Sequence, residues 1–295
     1  MTTTHSLADT IVWTALITPM HADGSIDFNT LTLLVREQEQ AGNGILILGS
    51  TGEALALSID EQQAVVRHVT ALTLRVPLMV GVGGFNLSQQ LQWLSFCNQH
   101  PIDAYLLGAP LYAKPGIQGQ LHWYSALLDA SKKPCMLYNV PGRAAVSIPP
   151  TVLAQLQPHP LCWALKEASG DIAQFEAYRE AAPELAIFSG DDALIPYFAQ
   201  AGAAGLVSVA ANVWPQQTQH LVQQCLQGQS VNAFVTWRSA IDALFSAANP
   251  VPVKCLLHAL ERLNSPVLRP PLSHLELNDT LPLLNAHERI VAWAH

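Results

Sequence analysis

The chain has 295 residues, is 50% hydrophobic and carries a net charge of -8 with only 14 basic residues. That is enough apolar material to bury a full core, in one large domain or two small ones. The acidic balance leaves no broad cationic footprint for nucleic acid or an anionic membrane, so a small-molecule partner is expected.

Along the first 214 residues, short apolar runs alternate with segments of helical period, the pattern of repeated strand-helix units around a parallel sheet. The predicted strands are 11–17, 44–48, 77–82, 104–107, 135–139, 163–166, 186–189 and 205–209. Eight of them suggest a closed (β/α)8 TIM barrel of the α/β class. The helical segment 28–41 places Leu31, Leu34, Val35 and Gln38 on one face, with Gly42 available to end it. Ser58 followed by Glu61 fits a capping box that starts a helix running toward Leu74. Pro149 and Pro150 can begin another at its first turn, leading into Val152, Leu153 and Leu156. The competing architecture, an open doubly wound sheet, would want a GxGxxG fingerprint at an early strand-helix junction, and Gly81-Val82-Gly83-Gly84 is a weak substitute.

From Pro215 the alternation stops, and helical stretches follow near 216–227, 231–247, 253–264 and 279–294. The expected organisation is a catalytic barrel over 1–214 and a helical C-terminal extension over 215–295 packed on it, with no Gly/Ser-rich linker between them. The longest apolar runs are strand-sized and interrupted, and Met1-Thr2-Thr3-Thr4-His5-Ser6 lacks the basic and then apolar pattern of a secretory signal. A cytoplasmic protein is therefore expected. Cys97, Cys135, Cys162, Cys225 and Cys255 are scattered among apolar neighbours without a CxxC pair, which reads as buried reduced thiols. The eleven histidines are dispersed from His5 to His295 with neither an HxH nor an HExxH arrangement, so no bound metal is expected.

Lys166 stands out among the five lysines. It closes the apolar run Cys162-Trp163-Ala164-Leu165, just before Glu167-Ala168-Ser169-Gly170-Asp171, and so puts an amine at the mouth of a buried strand. Desolvation disfavours the ammonium and exposes the lone pair that attacks a ketone. The plainer reading is a lysine that reaches water or pairs with Glu167. In a barrel the loops after the strands form the reactive face, where strand ends from around the ring converge. Strand alternation adds that Ala164 shares a face with Lys166, and Met136 with Tyr138, placing two functional groups above a packed layer.

Four motifs occur in order: Gly49-Ser50-Thr51-Gly52-Glu53, Tyr138-Asn139-Val140-Pro141-Gly142-Arg143, Leu165-Lys166-Glu167-Ala168-Ser169-Gly170-Asp171 and Asn249-Pro250-Val251-Pro252-Val253-Lys254. Together they resemble the 4-hydroxy-tetrahydrodipicolinate synthase (dihydrodipicolinate synthase) family of Schiff-base aldolases, over about residues 15–272. The resemblance implies a (β/α)8 barrel with C-terminal helices and commonly a homotetramer. It implies a lyase of lysine biosynthesis by the diaminopimelate route, with pyruvate and L-aspartate 4-semialdehyde as substrates. The covalent pyruvate-lysine intermediate takes the place of a cofactor.

Carried over residue by residue, the resemblance makes Lys166 the Schiff-base lysine and Tyr138 the general acid/base. Ser50 and Tyr112 match the proton relay, with serine where threonine is usual, and the relay tyrosine is expected to come from a neighbouring subunit. Thr51 matches the binder of the pyruvate carboxylate, Gly190 and Val207 match residues of the pyruvate pocket, and Arg143 matches the guanidinium that takes the second substrate's carboxylate. For Val207, ordinary barrel packing is an equal reading. A sister pyruvate-dependent aldolase or dehydratase acting on N-acetylneuraminate or a keto-deoxy sugar acid is the alternative, and a non-catalytic metabolite-binding barrel the alternative from another class. Lysine-inhibited members bind lysine through a polar set whose positions carry Ile59, Phe85, Gln89 and Leu111 here, so weak or absent lysine feedback is expected.

Overall fold

A computed structural model describes residues 6–229 and 234–293. Its strands are β1 (Val12–Ala15), β2 (Gly44–Ile47), β3 (Leu78–Val82), β4 (Ala104–Gly108), β5 (Cys135–Asn139), β6 (Cys162–Glu167), β7 (Ala186–Ser189) and β8 (Gly205–Ser208). Each pairs in parallel with the next and β8 returns to β1, closing the barrel that the alternation predicted. All eight predicted strands are present; β1, β2, β3 and β8 are shorter than predicted, and β4 and β6 run longer. Ile11 and Ile17 fall outside β1, although the Ile11 carbonyl still accepts from the Leu206 amide.

Strand alternation divides the apolar residues between two cores. Outward side chains such as Ile45, Val80, Leu107 and Ile187 pack under the surrounding helices. Inward side chains, among them Trp13, Leu46, Met79, Met136, Ala164, Phe188 and Val207, fill the barrel. Large residues there face glycines: a Cβ on Gly44 would lie 2.7 Å from the Trp13 ring, and one on Gly205 would lie 2.9 Å from Phe188. A register shift opposite Cys135 and Met136 makes a β-bulge at Trp163, whose ring packs on Trp13 (6.1 Å) and Phe188 (5.7 Å). Trp163 lies toward the opposite end of β6 from Lys166, whereas Phe188 stands level with Lys166 on the neighbouring strand.

The helices between strands start and stop where local chemistry directs. Helix α1 (Phe28–Ala41) is capped by the Asp27 carboxylate and ended by Gly42 at φ 75°. Helix α2 (Ile59–Thr70) has the expected capping box, with Ser58 and Glu61 each satisfying the other's backbone amide. It stops at Thr70, short of Leu74, because Thr73 takes a left-handed conformation at φ 50°. There follow α3 (Leu87–Cys97), α4 (Ile117–Ala130), the four-residue α5 (Pro141–Ala144), α6 (Pro150–Leu156), α7 (Ile172–Ala181) and α8 (Ile195–Gln200).

Beyond the barrel lie α9 (Pro215–Leu226), α10 (Phe234–Leu244), α11 (Val251–Ala259) and α12 (Leu281–Trp293). Residues 231–233 and 294 of the predicted stretches lie outside the described residues, as do residues 1–5 of the opening segment. Helix α11 begins earlier than predicted because Pro252 suits a first helical turn, and ends earlier because Glu261 is left-handed at φ 57°. All five cysteines are buried and unpaired. No helix among the described residues is long and apolar enough to cross a membrane.

Candidate active site

β5 and β6 lie side by side in register, with Tyr138 directly opposite Lys166. Both project inward beyond the packed layer of Met136 and Ala164, as alternation required. The result is a lysine only 5% exposed whose Nζ stands 4.5 Å from the centre of the Tyr138 ring, over its face. An aromatic face attracts positive charge there, whether carried by an ammonium or by an iminium at the same nitrogen.

Glu167 does not neutralise the amine, which removes the plainer reading of Lys166. Its carboxylate accepts from the Asn139 side-chain amide at 2.7 Å and from the Ser169 backbone amide at 2.6 Å. Burial raises the Glu167 pKa, opposed by those hydrogen bonds. The Asn139 side chain also accepts from the Ile148 amide, so the residues after Tyr138 and Lys166 tie the two strand ends together. Among the described residues Lys166 makes no ion pair.

Gly190 follows β7 directly against the lysine. A Cβ at this position would lie 2.8 Å from Lys166 Cε and 2.6 Å from Ala168 Cβ, so the absence of a side chain is what leaves the lysine its place. Val207 is fully buried in the interior cluster on which Tyr138 rests, the packing role weighed for it.

Ser50, Tyr138 and Arg143 line one cleft of about 930 Å³ at the barrel mouth. Lys166 is not part of its wall but lies against Tyr138, which is. Thr51 is nearly inaccessible at 3% exposure, and its hydroxyl accepts from the Asn249 side-chain amide at 3.0 Å. The Arg143 guanidinium is exposed on α5, donating to the Asn249 backbone carbonyl at 3.1 Å and making no ion pair among the described residues. Its remaining donors are free for an anion arriving from the cleft.

Tyr112 is not brought to this group within the chain. It is 91% exposed, in a loop with φ 66°, facing solvent beside the cleft-lining Leu111. Ile59, Phe85, Gln89 and Leu111 all line the same cleft, whose outer wall mixes apolar side chains with neutral amides such as Gln62 and Gln90; Phe85 is 73% exposed.

Two residues of the fourth motif enter the site without having been given a role from sequence. Asn249 contacts Thr51 and Arg143, and Lys254 pairs with Glu53 at 2.5 Å, both side chains buried. Burial lowers the Lys254 pKa, and the Glu53 charge acts against that. Glu53 also accepts from the Arg269 amide at 2.7 Å. A single lysine in the otherwise apolar stretch Val251–Leu257 was the available signal, since a buried ammonium needs a carboxylate.

The sequence matches the model of the dihydrodipicolinate synthetase family over residues 9–287. The chain belongs to that family. It is 50% identical over 283 residues to the 4-hydroxy-tetrahydrodipicolinate synthase of Francisella philomiragia, covering 96% of both chains. Among solved structures, the dihydrodipicolinate synthase of Acinetobacter baumannii complexed with pyruvate superposes with a TM-score of 0.89 at 29% identity, covering 96% of this chain and 99% of that one. The Cyanidioschyzon merolae enzyme with lysine bound gives 0.90 at 28% identity, covering 97% and 99%. The family resemblance carried by the four motifs and the barrel expected from it are thus both found.

Proposed function

We propose that the protein joins pyruvate to L-aspartate 4-semialdehyde to make 4-hydroxy-tetrahydrodipicolinate, with pyruvate held as a Schiff base on Lys166. The observation that carries this reading is the unpaired Lys166 amine over the face of Tyr138 at the C-terminal mouth of the barrel. The Francisella relative bears the name of this activity, and the Acinetobacter structure is a complex with pyruvate.

In this reading the neutral amine attacks the pyruvate ketone carbon, and the carbinolamine loses water to leave an iminium. The positive nitrogen withdraws electrons, so the adjacent methyl gives up a proton and the resulting enamine carbon attacks the aldehyde. The amino group of the second substrate then displaces Lys166, closing the ring and freeing the enzyme. Each stage moves a proton, and Tyr138 donates and recovers it, with Ser50 on the cleft wall as the next relay member. Thr51 holds the pyruvate carboxylate and Arg143 the carboxylate of the aldehyde; Gly190 leaves room for the adduct and Val207 supports the floor. No metal or cofactor is needed, because the lysine supplies the electron sink.

Tyr112 completes the relay from a neighbouring subunit, which makes the active form a homotetramer or at least a homodimer. Its exposure and the exposed apolar side chains of Leu55, Ile59 and Phe85 along the cleft support this. Five buried, unpaired thiols suit a reducing, cytoplasmic setting.

The test is turnover of pyruvate plus L-aspartate 4-semialdehyde, coupled to dihydrodipicolinate reductase and followed by NADPH oxidation. Enzyme-dependent turnover is expected, with Lys166→Ala folded yet unable to form a borohydride-trappable pyruvate adduct. Folded protein that traps pyruvate but does not turn over would redirect the second half-reaction to a sugar-acid substrate. An adduct surviving in Lys166→Ala would remove Lys166 from its role.

A further inference from the structure

Asn249 lies in the segment that leads into α11, far along the chain from both residues it meets. Its side-chain amide donates to Thr51 Oγ1 at 3.0 Å and its carbonyl accepts from Arg143 Nη2 at 3.1 Å. Asn249 is itself only 8% exposed, so water competes weakly for either contact. The polarity of the first contact is informative. A hydroxyl has one proton to give and can accept elsewhere. With the amide occupying an acceptor site on Thr51 Oγ1, the threonine proton is left to point at an anion.

The second contact removes one guanidinium donor of Arg143 from solvent and fixes the plane of the others. Five residues beyond Asn249, the Lys254–Glu53 pair joins the same helix to the same loop, two residues after Thr51. The segment from Asn249 to Lys254 is therefore attached to the Gly49–Glu53 loop at two points.

From this geometry we infer that Asn249 is a positioning residue that couples the two carboxylate-binding groups, fixing Thr51 through its side chain and Arg143 through its carbonyl. The inference rests on the proposed roles of Thr51 and Arg143. It deepens them by making one residue at the entry to α11 govern the grip on both substrates. Anchoring the side chain at Thr51 also holds the peptide whose carbonyl receives Arg143, so losing the amide loosens both contacts.

The experiment is steady-state kinetics of Asn249→Ala, with pyruvate trapping by borohydride measured separately on the same protein. The expected result is a rise of about tenfold in KM for pyruvate, the loss associated with one hydrogen bond that orients a group on a charged ligand. A smaller rise in KM for the aldehyde is expected alongside it, with kcat changed less than either. In a Thr51→Val background the same substitution should change the pyruvate dependence of trapping less than about twofold, since the effect passes through the missing hydroxyl. Additive effects in that cycle, a rise confined to pyruvate, or unchanged KM values with only a lower melting temperature would each overturn the inference. Asn249→Leu, which keeps nearly the same shape and charge but has no amide to donate to Thr51, provides the second variant if the alanine protein fails to fold, and the same rise is expected of it. Wild-type protein that traps no pyruvate would count against the proposed function and leave the test of Asn249 clearly separate from it.

Discussion

Gly190→Ala adds one carbon beside Lys166, the proposed Schiff-base lysine, and its effect follows from the distances. The new Cβ would stand 2.6 Å from Ala168 Cβ, 2.8 Å from Lys166 Cε and 3.1 Å from the Glu167 carbonyl oxygen. Comfortable carbon-carbon contact begins near about 3.5 Å, so the lysine stem must retreat by roughly 0.7 Å if the backbone holds. The backbone has reason to hold, because the Gly190 amide donates to the Glu167 carbonyl at 2.6 Å. Overpacking of this kind costs about 1–3 kcal/mol of stability. Misplacing a reacting group by about 1 Å costs on the order of a hundredfold in rate, so a loss between about tenfold and a hundredfold is expected. The assay is the rate of borohydride trapping with pyruvate alone, which isolates the lysine from the second substrate, together with a thermal melt. Gly142→Ala is the control at the same mouth, where a Cβ meets nothing within 4 Å, and it should leave trapping unchanged. Wild-type trapping by a folded Gly190→Ala protein would refute the reasoning.

Three further outcomes are expected. Lys254→Met leaves the buried Glu53 carboxylate without its ion-pair partner and should destabilise the protein by about 3–5 kcal/mol in denaturant melts; a loss under about 1 kcal/mol would show the pair to be dispensable. Burial raises the Asp192 pKa from 3.8 to about 6, with Ser208 and the amides of Val209 and Ala210 opposing it. The folded state then binds the proton more tightly than the unfolded chain, so this group's contribution to stability falls as pH rises through that window, by up to about 3 kcal/mol. Asp192→Asn should flatten that part of the stability profile measured by denaturation at pH values from 4 to 7, and an unchanged slope would remove Asp192 as its source. Finally, Ile59, Phe85, Gln89 and Leu111 offer the cleft no carboxylate for lysine's amines, so millimolar lysine should leave turnover unaltered, whereas clear inhibition would locate a lysine site elsewhere.

The barrel was legible because each strand is a compact apolar run and each helix carries a 3.6-residue stripe, and closure follows when eight such units succeed one another. Element ends were less legible where an ordinary residue takes the left-handed conformation. Thr73 and Glu261 do so, and nothing in their chemistry announces it as a glycine would. Within the site, the inward direction of Lys166 and Tyr138 was readable because strand parity is a local rule, whereas the register that sets them opposite each other, with its bulge at Trp163, was not. Asn249 and Lys254 were present in a recognised motif, but their partners lie 198 and 201 positions earlier in the chain, at Thr51 and Glu53, and only the folded arrangement pairs them. The exposure of Tyr112 likewise depends on a loop conformation that its sequence does not announce.

The bond from Asn139 to Glu167 carries a consequence for how this protein can change. Lys166 and Tyr138 stand on neighbouring strands whose register, and whose adjoining residues, lock them as one piece. Arg143 instead sits on a four-residue helix in a loop, and the rest of the cleft wall comes from other strand-end loops and from the outer faces of α2 and α3. Under the proposed roles, the groups that activate the keto acid belong to the frame and the group that takes the acceptor's carboxylate belongs to the rim. On that proposal, changes at the rim would alter the acceptor while leaving the Lys166–Tyr138 pair in place.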